Sequence, residues 1–470
     1  MLFNSLQFLV FFIIITIGYF LIGYRYRWLL LLLASCYFYM AFVPVYILIL
    51  AGTIVIDYFA GILLEQAPDN KRKLVLIISL AANIGVLAVF KYYNFFVHNL
   101  SKAMDTVHLH NPLRMLSILL PIGLSFHTFQ AMSYTIEVYR RNQKAERHFG
   151  LYALYVMYYP QLVAGPIERP QNLLPQFHTA HPFDFERLKS GLMQMAWGFF
   201  KKLVIADRLA QVVDFAYTDI SHQNGLTLLL ATVFYSFQIY CDFSGYSDIA
   251  IGASRIMGID LMTNFKAPYL SASISDFWSR WHISLSTWFK DYLYIPLGGN
   301  RVKVPRWFFN LFLVFVISGL WHGANWTFIV WGALHGFYLV FAIIKNKWVS
   351  KIQLRFKLPR YLDSFLDVLF TFSLVSFAWI FFRSYNMAWA MKIIAKIGHL
   401  NIHDQLLIPI NNAELLFSFI LIVALLVKER LISVFNTKSS MLFFISFSAF
   451  VLVIYLFGIF NQNQFIYFQF

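Results

Sequence analysis

Two stretches of this 470-residue chain gather titratable and hydrogen-bonding side chains inside otherwise apolar sequence. Residues 276–306 read DFWSRWHISLSTWFKDYLYIPLGGNRVKVPR, placing Asp276, Arg280, His282, Lys290, Asp291, Asn300 and Arg301 among tryptophans. Residues 318–326 read SGLWHGANW, with His322 between Gly319 and Gly323 and Asn325 close behind. Imidazole is the commonest general base near neutral pH, because its proton affinity matches the working pH. Neither histidine has a Ser, Cys or Asp at nucleophile-elbow spacing, so direct proton abstraction fits better than a covalent enzyme. The flanking glycines would let backbone or ligand approach the His322 ring closely. The competing reading is structural: a histidine in a membrane helix often bonds one helix to another.

Other chemistry-bearing residues read two ways. Asp242 and Asp248, in YCDFSGYSD, either position a hydroxyl acceptor or the base, or pair with Arg255 or Arg280, as intramembrane carboxylates usually do. Glu168, Arg169 and Pro170 follow a Gly165-Pro166 turn and read first as a helix break, with substrate contact second. Lys290, Arg301, Lys303 and Arg306 would clamp phosphates or serve as a cytoplasmic anchor. Trp278, Trp281, Trp288 and Trp321 would line a tunnel or sit at a membrane interface. His127 reads as a buried structural histidine.

The elements that must hold these residues are membrane helices. Sixty per cent of residues are hydrophobic and 13% charged, with 52 Phe, 27 Tyr and 12 Trp; an ordinary soluble domain carries roughly 25% charged residues. Thirty-seven Lys and Arg against 22 Asp and Glu give a formal charge of +15. In this apolar setting the excess belongs to basic loops on the cytoplasmic side and not to nucleic-acid binding. Cys36 and Cys241 provide neither metal-ligand spacing nor a disulfide framework, and no metal site is expected. The first apolar run, from residue 6 to 22, lacks a basic leader and a cleavage site, so it reads as a retained helix.

A spanning helix needs about 20 apolar residues. Candidate segments lie at 6–22, 28–44, 46–64, 74–97, 115–135, 151–164, 191–206, 226–240, 307–320, 326–344, 368–382, 415–427 and 441–460. Several are short and read as half-helices buried in protein. The expectation is an all-α, polytopic transmembrane protein of ten to thirteen segments, short or re-entrant helices included, around a buried polar core. Basic clusters at Arg25 and Arg27, at Lys71 to Lys73 and at Arg140 to Arg147 alternate with nearly uncharged loops. That pattern places Met1 outside and the clusters in the cytoplasm. No linker separates a soluble domain, so residues 1–470 read as one membrane-embedded domain.

The run WSRWHISLSTWFKDYLYIPLGGNR and the later SGLWHGANW together resemble the signature of the membrane-bound O-acyltransferase family. FHTFQAMSYTIEVYR from Phe126, QLVAGPIERPQNLLPQF from Gln161 and YCDFSGYSDIAIGASRIMGI from Tyr240 are similar to its bacterial, alginate-modifying branch; the teichoic acid branch is more distant. The likeness covers residues 57–331, with further membrane helices over 332–470, and the C-terminal FIYFQF is also similar.

The resemblance implies that His322 is the catalytic histidine and His282 its companion. It implies transfer of a short acyl group, acetyl in this branch, from a cytoplasmic thioester such as acetyl-CoA. The acceptor would be a hydroxyl of an extracytoplasmic polysaccharide or an intermediary protein. His282, Trp281 or nearby amides would hold the acceptor or the developing oxyanion. Lys290 and Arg301 would receive the donor's phosphates, with Asn300, Trp321, Asn325 and Asp242 as further contacts. No bound cofactor is expected. An extracytoplasmic acetyltransferase or esterase-like partner at the inner membrane is. Two alternatives stand beside this reading: a secondary transporter or flippase for a lipid-linked or anionic substrate, which also uses broken helices, and the same chemistry on a lipid or protein acceptor.

Overall fold

The computed structural model describes residues 1–117, 120–349, 359–401, 403–432, 437–460 and 464–466, all helices and connecting turns. Seven of these helices are long and apolar enough to cross a bilayer: Pro44–Gln66, Asp69–Asp105, Gly225–Ile256, Val304–His322, Trp326–Lys345, Tyr361–Arg383 and Ser440–Phe457. The last four residues of FIYFQF lie outside the described residues.

Two expected segments are only partly helical. Residues 115–135 hold no helix before Leu124, where Gly123 (φ 76°) turns the chain into Leu124–Tyr139; residues 118–119 lie outside the described residues. The 151–164 segment stops being helical at Met157, after a nine-residue helix, Phe149–Met157. It then turns through Gln161 to Gly165 with all its side chains buried. The 191–206 segment stays helical: Phe185–Phe199 runs through a wider turn, Phe200–Ala206, into Asp207–Thr218. Non-helical backbone at membrane depth is tolerable when protein surrounds it. That is the case for the 151–164 segment, one of the short segments expected to be a half-helix buried in protein.

The central scaffold is the 32-residue Gly225–Ile256 helix, started by Asn224, whose side chain accepts from Thr227 N–H at 2.9 Å. It is buried along most of its length. It lies against Phe185–Phe199 at two reciprocal glycine contacts. A Cβ on Gly191 would stand 2.7 Å from Gly252 O, and one on Gly252 2.6 Å from Gly191 O. The same holds for Gly198 and Gly245, at 2.7 and 2.9 Å. Small residues are how membrane helices bring backbones together, since lipid offers no hydrophobic drive between them.

The basic clusters meet at one end of the molecule. Arg141 bonds Asp69 at 2.5 Å, Arg147 pairs with Glu65, and Arg72 donates to Val138 O and Tyr139 O. Trp28 packs on His148 at 4.6 Å between ring centroids. Arg140 donates to Asp291 O, which brings the 290–306 segment to the same end. Loops assigned to one side by charge are therefore in contact.

Candidate functional site

His322 is the last residue of the Val304–His322 helix, and His282 opens the short Ile283–Phe289 helix. Both side chains are buried, and their ring centroids lie 6.5 Å apart. Pro305 in the first turn of the His322 helix suits the fixed φ of proline. Gly319 and Gly323 serve packing: a Cβ on Gly319 would strike the Phe328 carbonyl, and one on Gly323 the Phe328 ring. The approach expected from these glycines is thus made by the neighbouring Trp326–Val349 helix.

His282 sits at a sharp corner. The Ile274–Arg280 helix ends, Trp281 is extended, and His282 adopts a left-handed conformation at φ 44°, ψ 53°. Such a conformation costs free energy unless its surroundings hold it. Here the loop before it does so. Lys266 N–H donates to Arg280 O, and Ile283 N–H to Asn264 O, both at 2.9 Å.

The Asn264 side chain then fixes the histidine. Its Oδ1 accepts from Ser284 N–H at 3.3 Å and Ser284 Oγ at 2.9 Å, while its Nδ2 donates to Ser247 Oγ. Because a backbone N–H only donates, the amide orientation is determined. His282 Nδ1, 3.2 Å from that oxygen, must be the donor. In the neutral ring this leaves the lone pair on Nε2, as a general base requires.

Aromatic rings wall the histidine pair. Trp321 lies 4.9 Å from His322, 5.4 Å from Phe126 and 5.2 Å from Phe129. Phe129 stacks on Trp288 at 3.8 Å, and the Trp288 indole donates to Phe129 O and Ser133 Oγ. Trp331 lies 5.0 Å from His322 on its other side.

Two cavities border this wall. A narrow one is lined by Lys91, Pro121, Gly123, Ser125, Phe126, Trp321 and His322. A larger polar one is lined by Gln194, Lys201, Ser247, Asp248, Arg255, Asn264, Lys266, Lys428 and Glu429. The Asn264–His282 bond and the His282–His322 contact join the two.

Of the expected site residues, the structure brings His282, His322 and Trp321 together. Trp281 faces a separate aromatic cluster, 5.1 Å from Phe265 and 5.2 Å from Trp379. Lys290, Asn300 and Arg301 are exposed at the basic end. Arg301 precedes the Val304–His322 helix, whose 19 residues span roughly 28 Å, whereas Lys290 follows the short helix that His282 opens, roughly 12 Å along it. Asn325 pins a turn, donating to Tyr385 O at 2.9 Å. Asp242 joins a buried triad, 2.8 Å from Lys202, which also bonds Asp207 at 2.8 Å. Its other oxygen accepts from Ile466 N–H near the C-terminus. Asp248 pairs with Lys201 at 2.6 Å. The carboxylates are compensated as expected, but by lysines of the neighbouring helix; Arg280 instead pairs with Asp276 at 2.8 Å.

Glu168 and Arg169 do mark a break, with Arg169 capping Pro170–Phe177. His127 is buried. Three residues that were not anticipated border the site: Asn264, Lys91 and His335. The last accepts from the Trp278 indole at 3.2 Å and packs 5.0 Å from Trp331. Local spacing carried no signal for any of them.

The model of the membrane-bound O-acyltransferase family matches residues 16–387. The chain is 42% identical over 399 residues to a probable alginate O-acetylase of Pseudomonas aeruginosa, spanning 83% of this chain and 74% of that one. It is 38% identical over 402 residues to a peptidoglycan O-acetyltransferase of Helicobacter pylori, spanning 79% and 73%. A teichoic acid D-alanyltransferase of Bacillus subtilis is 30% identical over 256 residues, spanning 52% and 63%. Enzymes, not carriers, are what these relatives are named as. With its two buried histidines at the meeting point of two cavities, this multi-pass chain belongs to the membrane-bound O-acyltransferase family and is an O-acyltransferase.

Proposed function

We propose that the chain transfers an acetyl group from a cytoplasmic thioester, acetyl-CoA or a carrier-bound equivalent, to a hydroxyl on an extracytoplasmic polysaccharide or on an intermediary protein. The observation that carries this reading is the His282–His322 pair, buried and 6.5 Å apart between two cavities. His322 takes the hydroxyl proton as that oxygen attacks the thioester carbonyl carbon. A C–O bond forms, the C–S bond breaks, and the thiolate leaves and takes up the proton. His282, locked by Asn264, orients the reacting groups at the junction.

The donor's phosphates enter by the larger cavity. Arg255 and Lys266 line it, and it reaches Asn264; Arg301 stands at the far end of the His322 helix. The acetyl assignment follows the names of the two most fully covered relatives described above. The chain lies in the inner membrane with Met1 outside and the basic end in the cytoplasm, by the positive-inside rule. An extracytoplasmic acetyltransferase or esterase-like partner delivers the group to the glycan.

The test is acetyl-CoA consumption by the purified chain in lipid nanodiscs, with free thiol as the readout. Thiol release should rise when an extracytoplasmic partner and polysaccharide are supplied. No release above an empty-nanodisc control with partner and polysaccharide present, from protein that remains monodisperse, would refute acetyl-CoA as the donor; no release from a carrier-bound acetyl thioester either would refute the thioester assignment.

A further inference from the structure

Lys91 stands on the Asp69–Asp105 membrane helix, inside a widened turn at Ala88–Tyr92. Such bulges are frequent at functional sites, because they re-aim a side chain that a regular helix would send elsewhere. Its Nζ donates to Trp321 O at 2.6 Å and to Ser125 Oγ at 3.2 Å. The ammonium also lies 5.7 Å from the Trp321 ring centroid, and it lines the narrow cavity with His322. Both hydrogen-bond partners are neutral. Among the described residues no carboxylate comes within 4 Å of this nitrogen, although Lys189, Lys201 and Lys202, which are buried, all pair with carboxylates. An ammonium carries three N–H donors. Two are accounted for, and the cavity is where an approaching anion would find the third.

We propose that Lys91 is a catalytic residue that holds the oxyanion of the tetrahedral intermediate formed beside His322. The inference rests on the acyl-transfer reading of the site. As the hydroxyl oxygen bonds to the thioester carbon, the carbonyl π electrons move onto oxygen and the hydroxyl proton passes to the imidazole. The new negative charge lies against the Lys91 ammonium. When the carbonyl re-forms and the C–S bond breaks, that charge leaves with sulfur. A fixed cation in a site of low polarity stabilises such a charge far more than water would, and it needs no reorganisation as the charge appears. The competing role is capping: Lys91 and Tyr92 donate to Trp321 O and Leu320 O, the last carbonyls of the His322 helix. Glutamine retains a donor for that carbonyl but not the charge, so it separates the two roles.

Reconstituted wild type and the Lys91→Gln, Lys91→Met, Lys91→Arg and His322→Gln variants are compared for kcat, KM and thermal unfolding. Lys91→Gln and Lys91→Met should lose about 10²–10³-fold in kcat, the usual effect of removing one oxyanion donor, with KM little changed. Lys91→Arg should recover part of the loss. If Lys91→Gln keeps kcat within threefold of wild type while His322→Gln is inactive, the oxyanion role is wrong and the site reading survives. A raised KM at unchanged kcat would mean that Lys91 holds an anion of the ground state, and also overturns it. Loss of the fold in every Lys91 variant would make the residue a structural cap. Activity in His322→Gln would refute the site reading itself.

Discussion

At the scale of single residues, the site depends on one amide. Asn264 is 18 positions from His282, yet its oxygen sets both the tautomer and the ring position of that histidine. Asn264→Ala should lower turnover by about 10²-fold, the effect of small misplacement of a reacting group. Asn264→Asp, which keeps the accepting oxygen, should retain much more activity; equal loss in both variants, measured as kcat on folded protein, would show that the bond is not what matters. The two histidines themselves were legible, since ionisable residues in apolar sequence stand out and their joint motifs resemble one family. Asn264, Lys91 and His335 were not. Their bonds join positions far apart in the chain, and no local pattern records such a contact. Asp242 was legible as a compensated carboxylate, but its partner was not: Lys202 reaches it only because a neighbouring helix crosses close by.

That closeness belongs to the scale of elements. The crossing between Phe185–Phe199 and Gly225–Ile256 depends on Gly191, Gly198, Gly245 and Gly252, and it brings Lys201 and Lys202 to Asp248 and Asp242. Gly252→Val would press a branched side chain into the Gly191 backbone. Overpacking of this kind costs about 1–3 kcal/mol, and here it would also pull apart a buried ion network. Thermal unfolding in detergent should show a lowered midpoint and a smaller monodisperse fraction. Gly52→Val, at a glycine whose added Cβ would meet nothing within 4 Å, should be close to neutral. Equal tolerance at both positions would contradict the packing account. Hydropathy and length identified the long helices and marked the short segments as half-helices, but they could not locate where the Phe149–Met157 helix stops and its buried turn begins, because both are apolar. What divides them is hydrogen bonding of the backbone within protein, which composition does not encode.

At the scale of the whole molecule, the basic loops share one end and His322 lies toward the other. In a background with Cys36 and Cys241 replaced by serine, Lys71→Cys should resist an impermeant thiol reagent added to intact cells, and His108→Cys should react. The reverse labelling would invert the assigned orientation and put the donor on the wrong side of the membrane. The two cavities border the histidines: one is lined by Asn264 with Arg255 and Lys266, the other by His322 and Lys91. The central claim is that His322 is the base at their junction. It is tested most directly by His322→Gln, which keeps much of the ring's volume and some hydrogen bonding but cannot take the proton. Transfer of labelled acetyl from acetyl-CoA should fall by about 10²–10⁴-fold, the usual contribution of a general base, while insertion and purification stay normal. Turnover near that of the unaltered chain, from equally well-folded protein, would make His322 structural and move the search for the base to His282.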